Sequence, residues 1–205
     1  SHDMALNNQA GVVLVYSASI NSMNDESHLG FFDIPFISHI PNFVYLAPTN
    51  KEEHLAMLEW AINQNEHPVA IRVPVGSVVE TGEEDRTDYS ILNKNKVVKY
   101  GEQVVIFGVG NFYNLAEEVS EKLKSEHNID ATLINPRFLT GSDKELLNSL
   151  KENHKLVVTV EDGIVEGGYG QTVASYLGNT ELKVQNYGIN KKFYDRYDVE
   201  ELMKE

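Results

Sequence analysis

Gly11-Val12-Val13-Leu14-Val15-Tyr16 is the stretch that decides the fold. It is apolar and β-branched without alternation, and it has the length of one strand. Such a run suits a strand covered on both faces, as in a parallel sheet. A polar stretch follows, turns on a glycine and becomes apolar: Asn24-Asp25-Glu26-Ser27-His28-Leu29-Gly30-Phe31-Phe32-Asp33-Ile34-Pro35. A second β-like run, Asn42-Phe43-Val44-Tyr45-Leu46-Ala47, comes next. His28 therefore lies on a loop leaving the carboxyl end of one strand, before the chain returns for the next. In open parallel sheets that edge is where ligands bind. Asp25, Glu26 and Asp33 surround His28, and a carboxylate beside an imidazole can set its tautomer for acid–base chemistry. The same residues suit a solvated loop in which His28 only caps a turn or pairs with a carboxylate. On the residues alone both readings stand.

Working outward, Met4 and Leu6 make a short helical pattern, and residues 31–40 predict a short helix or turn. Pro48-Thr49-Asn50 stops the second strand. Thr49 and Glu52 have capping-box spacing, predicting a helix over residues 51–65 with Leu55, Leu58, Ala61 and Ile62 as its apolar face. Residues 69–73 form a third strand, ended by Pro74 and Gly76. The order β, loop, β, α, β is a parallel α/β unit with right-handed crossovers. Residues 78–99 are acidic and lack periodicity, which reads as a linker with short extended pieces. A second α/β unit follows, with strands at 103–108, 131–135, 156–160 and 182–187. Its helices are expected at 114–125, from a Ser142/Glu145 capping box to Lys151, from Gly167 to Leu177, and after an Asp198/Glu201 box.

The 205 residues allow one large or two small domains, and 41% apolar with 23% charged residues is an ordinary globular composition. No apolar run is long enough to span a membrane, and no basic-then-apolar leader opens the sequence, so no membrane partner and a cytoplasmic setting are expected. With no cysteine there can be no disulfide, thiolate metal site or cysteine nucleophile. A net charge of −14 opposes binding to phosphate backbones, so a nucleic-acid partner is not expected. In residues 1–80 the only lysine or arginine side chains are Lys51 and Arg72.

Several motifs carry two readings. Gly108-Val109-Gly110 is half a dinucleotide fingerprint, but Tyr113 occupies the third glycine position and Asn135-Pro136 stands where an acidic residue should be. Gly167-Gly168-Tyr169-Gly170 could cradle a phosphate on free amides, or serve a tight helix entry. Glu161-Asp162 could share a proton or hold a cation; alternatively, one of them accepts the amides of the glycine turn. The histidines have no zinc-ligand spacing, and no G-x-S-x-G is present.

The order of the pieces is more specific than any one of them. Ser27-His28-Leu29-Gly30 with Phe32-Asp33, then Ile40-Pro41-Asn42, then Ala47-Pro48-Thr49-Asn50 with Glu53 stand in sequence. Ala70-Ile71-Arg72-Val73-Pro74 with Gly76, then Val158-Thr159-Val160-Glu161-Asp162-Gly163 with the glycine turn, complete the series. This series resembles the carboxyl-terminal part of the thiamine-diphosphate enzymes of the transketolase superfamily, and within it the 1-deoxy-D-xylulose-5-phosphate synthase family. The resemblance implies an α/β chain in two parts. Residues 1–80 would be the back half of a pyrimidine-binding domain, a parallel sheet with flanking helices. Residues 81–98 would be a linker and 99–205 a transketolase carboxyl-terminal-like α/β domain. The histidine matched by His28 faces cofactor and substrate in that family, and Asn24, Asp25 and Arg72 are carried over as substrate-binding positions.

The resemblance also implies thiamine diphosphate and magnesium in a full-length parent, a homodimer, and a reaction joining pyruvate to glyceraldehyde 3-phosphate. The family residues that hold the cofactor would precede Ser1. The expectation is therefore that this chain alone has no cofactor-binding residues, binds no metal and is inactive. It would need the missing domains or a partner subunit. The two family arginines that hold the sugar phosphate are replaced by Ser17 and Val75. Losing two such contacts would cost roughly 1.5–3 kcal/mol each. That motivates two alternatives: a transketolase or 2-oxoacid-dehydrogenase β-like protein with another acceptor, or a non-catalytic interaction module.

Overall fold

The computed structural model describes residues 2–16, 18–21, 25–73 and 79–204. The amino-terminal unit begins with α1 (His2–Leu6) and β1 (Gly11–Tyr16). It continues through α2 (Asp33–Ser38), β2 (Val44–Leu46), α3 (Lys51–Asn63) and β3 (Pro68–Val73). Among the described residues these strands form a three-stranded parallel sheet in the order β1-β3-β2. Val69 at its centre faces Val12 on one side and Val44 on the other. Such an order follows from two crossovers that return each new strand to the same sheet.

The second unit contains β4 (Lys96–Lys99), β5 (Gln103–Gly108), α4 (Tyr113–His127), β6 (Thr132–Asn135) and α5 (Lys144–Asn153). It ends with β7 (His154–Ile164), α6 (Tyr169–Leu177), β8 (Lys183–Ile189) and α7 (Val199–Leu202). Its five strands run β4-β6-β5-β7-β8, parallel except for β4, which pairs antiparallel with β6. β4 thus places Lys96–Lys99 at one edge of the second sheet, where Val97 faces Ile134.

One core crosses both units. Tyr45, Ala47 and Ala70 of the first unit pack in one cluster with Phe107, Val109, Ile134 and Tyr169 of the second. The chain after β6 also returns to the first sheet. The Ala47 amide donates to Arg137 O (2.8 Å), and the Leu139 amide donates to Tyr45 O (2.7 Å). That segment covers the outer edge of β2, whereas β1 has β3 as its only strand partner among the described residues.

The helix ends correct three expectations. Asn50, not Thr49, caps α3: its Oδ1 accepts the Glu53 amide at 2.8 Å. Glu53, not Glu52, reaches back to Thr49, accepting from its amide (3.0 Å) and hydroxyl (2.8 Å). Asp143, rather than Ser142, caps α5 by accepting the Leu146 amide. The Asp198/Glu201 cap of α7 is as expected, at 3.1 Å. The inward face of α3 is Glu53, Met57 and Ala61, while Leu55 and Ile62 are exposed. The stripe turns because Glu53 is drawn inward by cationic and amide donors from the second unit.

Candidate active site

β1 and β3 run parallel, so Tyr16 and Val73 end on the same edge, and the Ala18 amide donates across it to Val73 O. The loop that leaves there has buried feet. Ser19 and Ile20 are inside at one end and Phe31 at the other, and the Ile164 amide of β7 donates to Phe31 O at 3.0 Å. Between the feet, Asp25 to His28 are exposed.

Within that arch Asp25, Ser27 and His28 form a chain of contacts. The Ser27 amide donates to Asp25 Oδ1 at 2.9 Å, and the Ser27 hydroxyl donates to the same oxygen. The Ser27 oxygen also lies 2.8 Å from His28 Nδ1. A hydroxyl has one proton; with it given to Asp25, the oxygen accepts from Nδ1–H. Nε2 is then the nitrogen left to accept a proton or, once protonated, to donate to an oxygen. The two Ser27 donors, side chain first, hold the Asp25 carboxyl below its usual range. Asn24, carried over as a substrate position, and Ser17 and Val75, at the replaced arginines, lie outside the described residues.

Arg72 sits deeper. It is 2% exposed. Its Nε donates to Asp33 Oδ2 at 2.8 Å, its Nη1 to Asp162 Oδ1, and its Nη2 to Asp33 Oδ1 at 3.2 Å. The Tyr45 hydroxyl donates to Asp33 as well. Burial works against the guanidinium charge, but Asp162 and Asp33 outweigh it and hold the group well above its ordinary value. All three guanidinium nitrogens are thus taken by groups of the chain itself, and Arg72 joins β3 to the start of α2 and to β7.

The glycine turn is occupied from within. Glu161 is fully buried and accepts the Tyr169 and Gly170 amides, each at 2.9 Å. A Cβ on Gly168 would stand 2.5 Å from Glu161 Oε2, so only glycine lets the carboxylate this close. Of the readings open for this motif, a carboxylate holding the helix entry is the one realised. Burial pushes the Glu161 carboxyl up to about 7 against the pull of the two amides. Beside this turn a cavity of about 630 Å³ is lined by His39, Ser142, Gly168, Gln171, Thr172 and Tyr176.

A second buried cluster joins the units. Glu53 of α3 accepts from Asn135 Nδ2 (2.9 Å) and Arg137 Nε (3.1 Å). Two residues of this site were given no role by the sequence: Ser27, whose spacing from Asp25 is that of an Asx turn, and Tyr197, whose hydroxyl donates to Ile20 O at 2.6 Å. Only an aromatic pair three apart, Tyr194 and Tyr197, hinted at the second.

Residues 1–79 match the transketolase pyrimidine binding domain, and residues 93–205 match the transketolase C-terminal domain. The chain belongs to the transketolase family. Among the similar relatives are 1-deoxy-D-xylulose-5-phosphate synthases of Clostridium tetani and Clostridium perfringens. The first is 34% identical over 99% of this chain and 32% of the relative; the second is 35% identical over 95% and 31%. The synthase of Carboxydothermus hydrogenoformans is 34% identical over 98% of the chain and 32% of the relative. This transketolase-family chain thus spans about a third of the length of the curated relatives it matches. Its fold is shared with a solved split-gene transketolase, described as an inactive β4 tetramer. That likeness has a TM-score of 0.72 at 23% identity, over 95% of this chain and 60% of the other. Among the described residues no helix is long and apolar enough to cross a membrane.

Proposed function

We propose that this chain forms part of a thiamine-diphosphate-dependent transferase that joins pyruvate to glyceraldehyde 3-phosphate, the reaction that the resemblance to 1-deoxy-D-xylulose-5-phosphate synthases implies. In this reading it works in the cytoplasm. The observation that carries the reading is the arch Asp25–His28. It stands on the carboxyl edge of the sheet, inside the stretch that matches the pyrimidine-binding domain. Thiamine diphosphate would supply the carbanion chemistry. The described residues do not fit its diphosphate end. No group of three or more histidines and carboxylates among them could hold a metal, and Glu161 takes the first amides of α6. Other segments, of the same protein or of a partner subunit, would hold it, and a dimer would complete the site.

In this reading the chain supplies one wall. His28 lends Nε2 to the reacting oxygen, as acceptor when neutral and donor when protonated. Asp25 and Ser27 fix which nitrogen that is. Asn24 completes the substrate loop. Arg72 acts from beneath, holding Asp33 and so the loop's downstream foot.

The test is turnover of pyruvate with several aldehydes by the protein as its native source makes it, whatever the chain is joined to or bound by. His28→Gln should lower kcat about 10²–10⁴-fold. Unchanged turnover in that variant would remove His28 from the chemistry. A different acceptor is favoured by one observation, Ser17 and Val75 at the arginine positions. A strong preference for unphosphorylated aldehydes would select it. Isothermal titration of the chain alone with thiamine diphosphate and magnesium should show no tight binding.

A further inference from the structure

The segment after β8 has little to do in its own sheet. Of residues 190–204, the four that are not exposed are Tyr194, Tyr197, Val199 and Leu202. All four pack in one cluster with Ile20 and Phe31, the two feet of the His28 loop, and with Ile164 and Ile189 at the ends of β7 and β8. The Phe31 ring meets Tyr194 edge-on at 5.7 Å and Tyr197 at 6.1 Å. Phe32 is 6.0 Å from Phe193. The Tyr197 hydroxyl donates to Ile20 O on the upstream foot, across 177 positions of sequence. A buried carbonyl without a partner is unfavourable, so that hydroxyl fixes where the foot sits.

We propose that residues 190–202 act as a clasp that sets the position of the His28 loop, with Tyr197 as its positioning residue. The apolar contacts alone would allow the loop to slide, because dispersion contacts are not directional. The hydroxyl adds one directional bond eight residues from His28. The downstream foot is fixed independently, by Ile164 on Phe31 O and by Arg72 on Asp33. The arch is therefore pinned at both ends, once by the amino-terminal unit and the second sheet, and once by the carboxyl-terminal segment. The importance of the clasp for catalysis rests on the proposed function; its existence does not.

Tyr197→Phe keeps the ring and removes the bond. Hydrogen–deuterium exchange of the chain, followed by mass spectrometry, should show peptides covering residues 18–32 exchanging about five- to tenfold faster. Peptides from α4 and α5 should be unchanged. The His28 imidazole proton signal should shift while those of His127 and His154 stay. Uniform acceleration everywhere, or none in residues 18–32, overturns the clasp. Tyr197→Leu, which also removes the ring that packs on Phe31, should enlarge the acceleration. In the active enzyme, Tyr197→Phe should lower kcat about tenfold with KM for the cofactor unchanged. Unchanged kcat beside a loosened loop overturns the catalytic role of the clasp. An inactive wild-type preparation sinks the proposed function instead, and the exchange result still decides the clasp.

Discussion

Arg72 on β3 and Asp162 on β7, ninety positions apart, form a buried ion pair between the two sheets. A reciprocal pair joins the same two units where Glu53 on α3 meets Arg137 beyond β6. The first unit gives a cation at one point and an anion at the other, and the second unit answers both. A shifted docking of the units would leave buried charges unpaired, which is a strong reason for one arrangement. Because Arg72 also holds Asp33, the same contact that docks the units fixes the end of the His28 loop.

Arg72→Met would leave Asp33 and Asp162 buried without their counter-charge. Removing one member of a buried pair typically costs about 3–5 kcal/mol. Urea unfolding should show a loss of that size, and Asp33→Asn in the same background should restore part of it. A loss below about 1 kcal/mol would show that the network is not ionised.

Much of this fold was legible because periodicity and caps are local. The unbroken apolar run at Gly11–Tyr16 announced a parallel sheet, although β1 is its half-exposed edge strand and not covered on both faces as the run suggested; Asp198 and Glu201 announced α7, and Glu161 was among the candidates for holding the glycine turn. What was misread depends on distant partners. Apolar spacing chose Leu55 and Ile62 for the core of α3, yet the helix turns Glu53 inward because Arg137 and Asn135 wait there, more than eighty positions away. The sequence marked Arg72 as a scarce cation on a half-chain poor in them, which suits a ligand contact. Asp162 could not be matched to it before the two sheets were docked. The arch around His28 was visible as a polar loop, but Tyr197 was not, since nothing local says what a tyrosine near the end of the sequence will bond.

Arg137 adopts a left-handed backbone conformation, with φ of 62°. Its side chain also lies over the Tyr89 ring at 5.8 Å from the centroid and reaches Asp85 at 3.5 Å. Arg137→Ala and Arg137→Gly lose the same contacts and leave Glu53 buried, so each should cost about 3 kcal/mol or more. Glycine alone accepts the left-handed region freely, so the glycine variant should be more stable than the alanine variant by about 1 kcal/mol. Thermal unfolding of the two side by side checks the order, and equal stability would mean that the backbone relaxes at this position.

Glu161 gives the chain a pH dependence of definite sign. Its carboxyl is raised from 4.5 to about 7, first by burial, with the two amides pulling the other way. A carboxyl raised in the folded state stabilises fully below the unfolded value, where both states carry the proton. That stability is lost as pH rises from about 4.5 through 7, because the unfolded chain releases the proton first. The full loss is on the order of 3 kcal/mol. Glu161→Gln cannot ionise, so its stability between pH 5 and 7 should be flatter than that of the wild type. Histidines contribute equally to both and cancel in the difference. Parallel slopes in urea titrations across that range would show that Glu161 is already ionised in the folded chain.

The open side of β1 makes the last prediction. Among the described residues β1 bonds only to β3, and Val13 and Tyr16 on it are 39% and 69% exposed. An unpaired apolar strand edge is a template for another strand, whether from the same protein, a partner subunit or a second copy. The 205-residue chain by itself should therefore associate as its concentration rises. Val13→Lys puts a charge on that edge, which repels an incoming strand while leaving the β1–β3 pairing intact. Sedimentation velocity should show the variant smaller than the wild type at equal concentration, with the same circular dichroism. If both sediment alike as larger species, association runs through another surface, and Phe36 and Leu6, 77% and 72% exposed on the adjacent helices, are the next positions to charge.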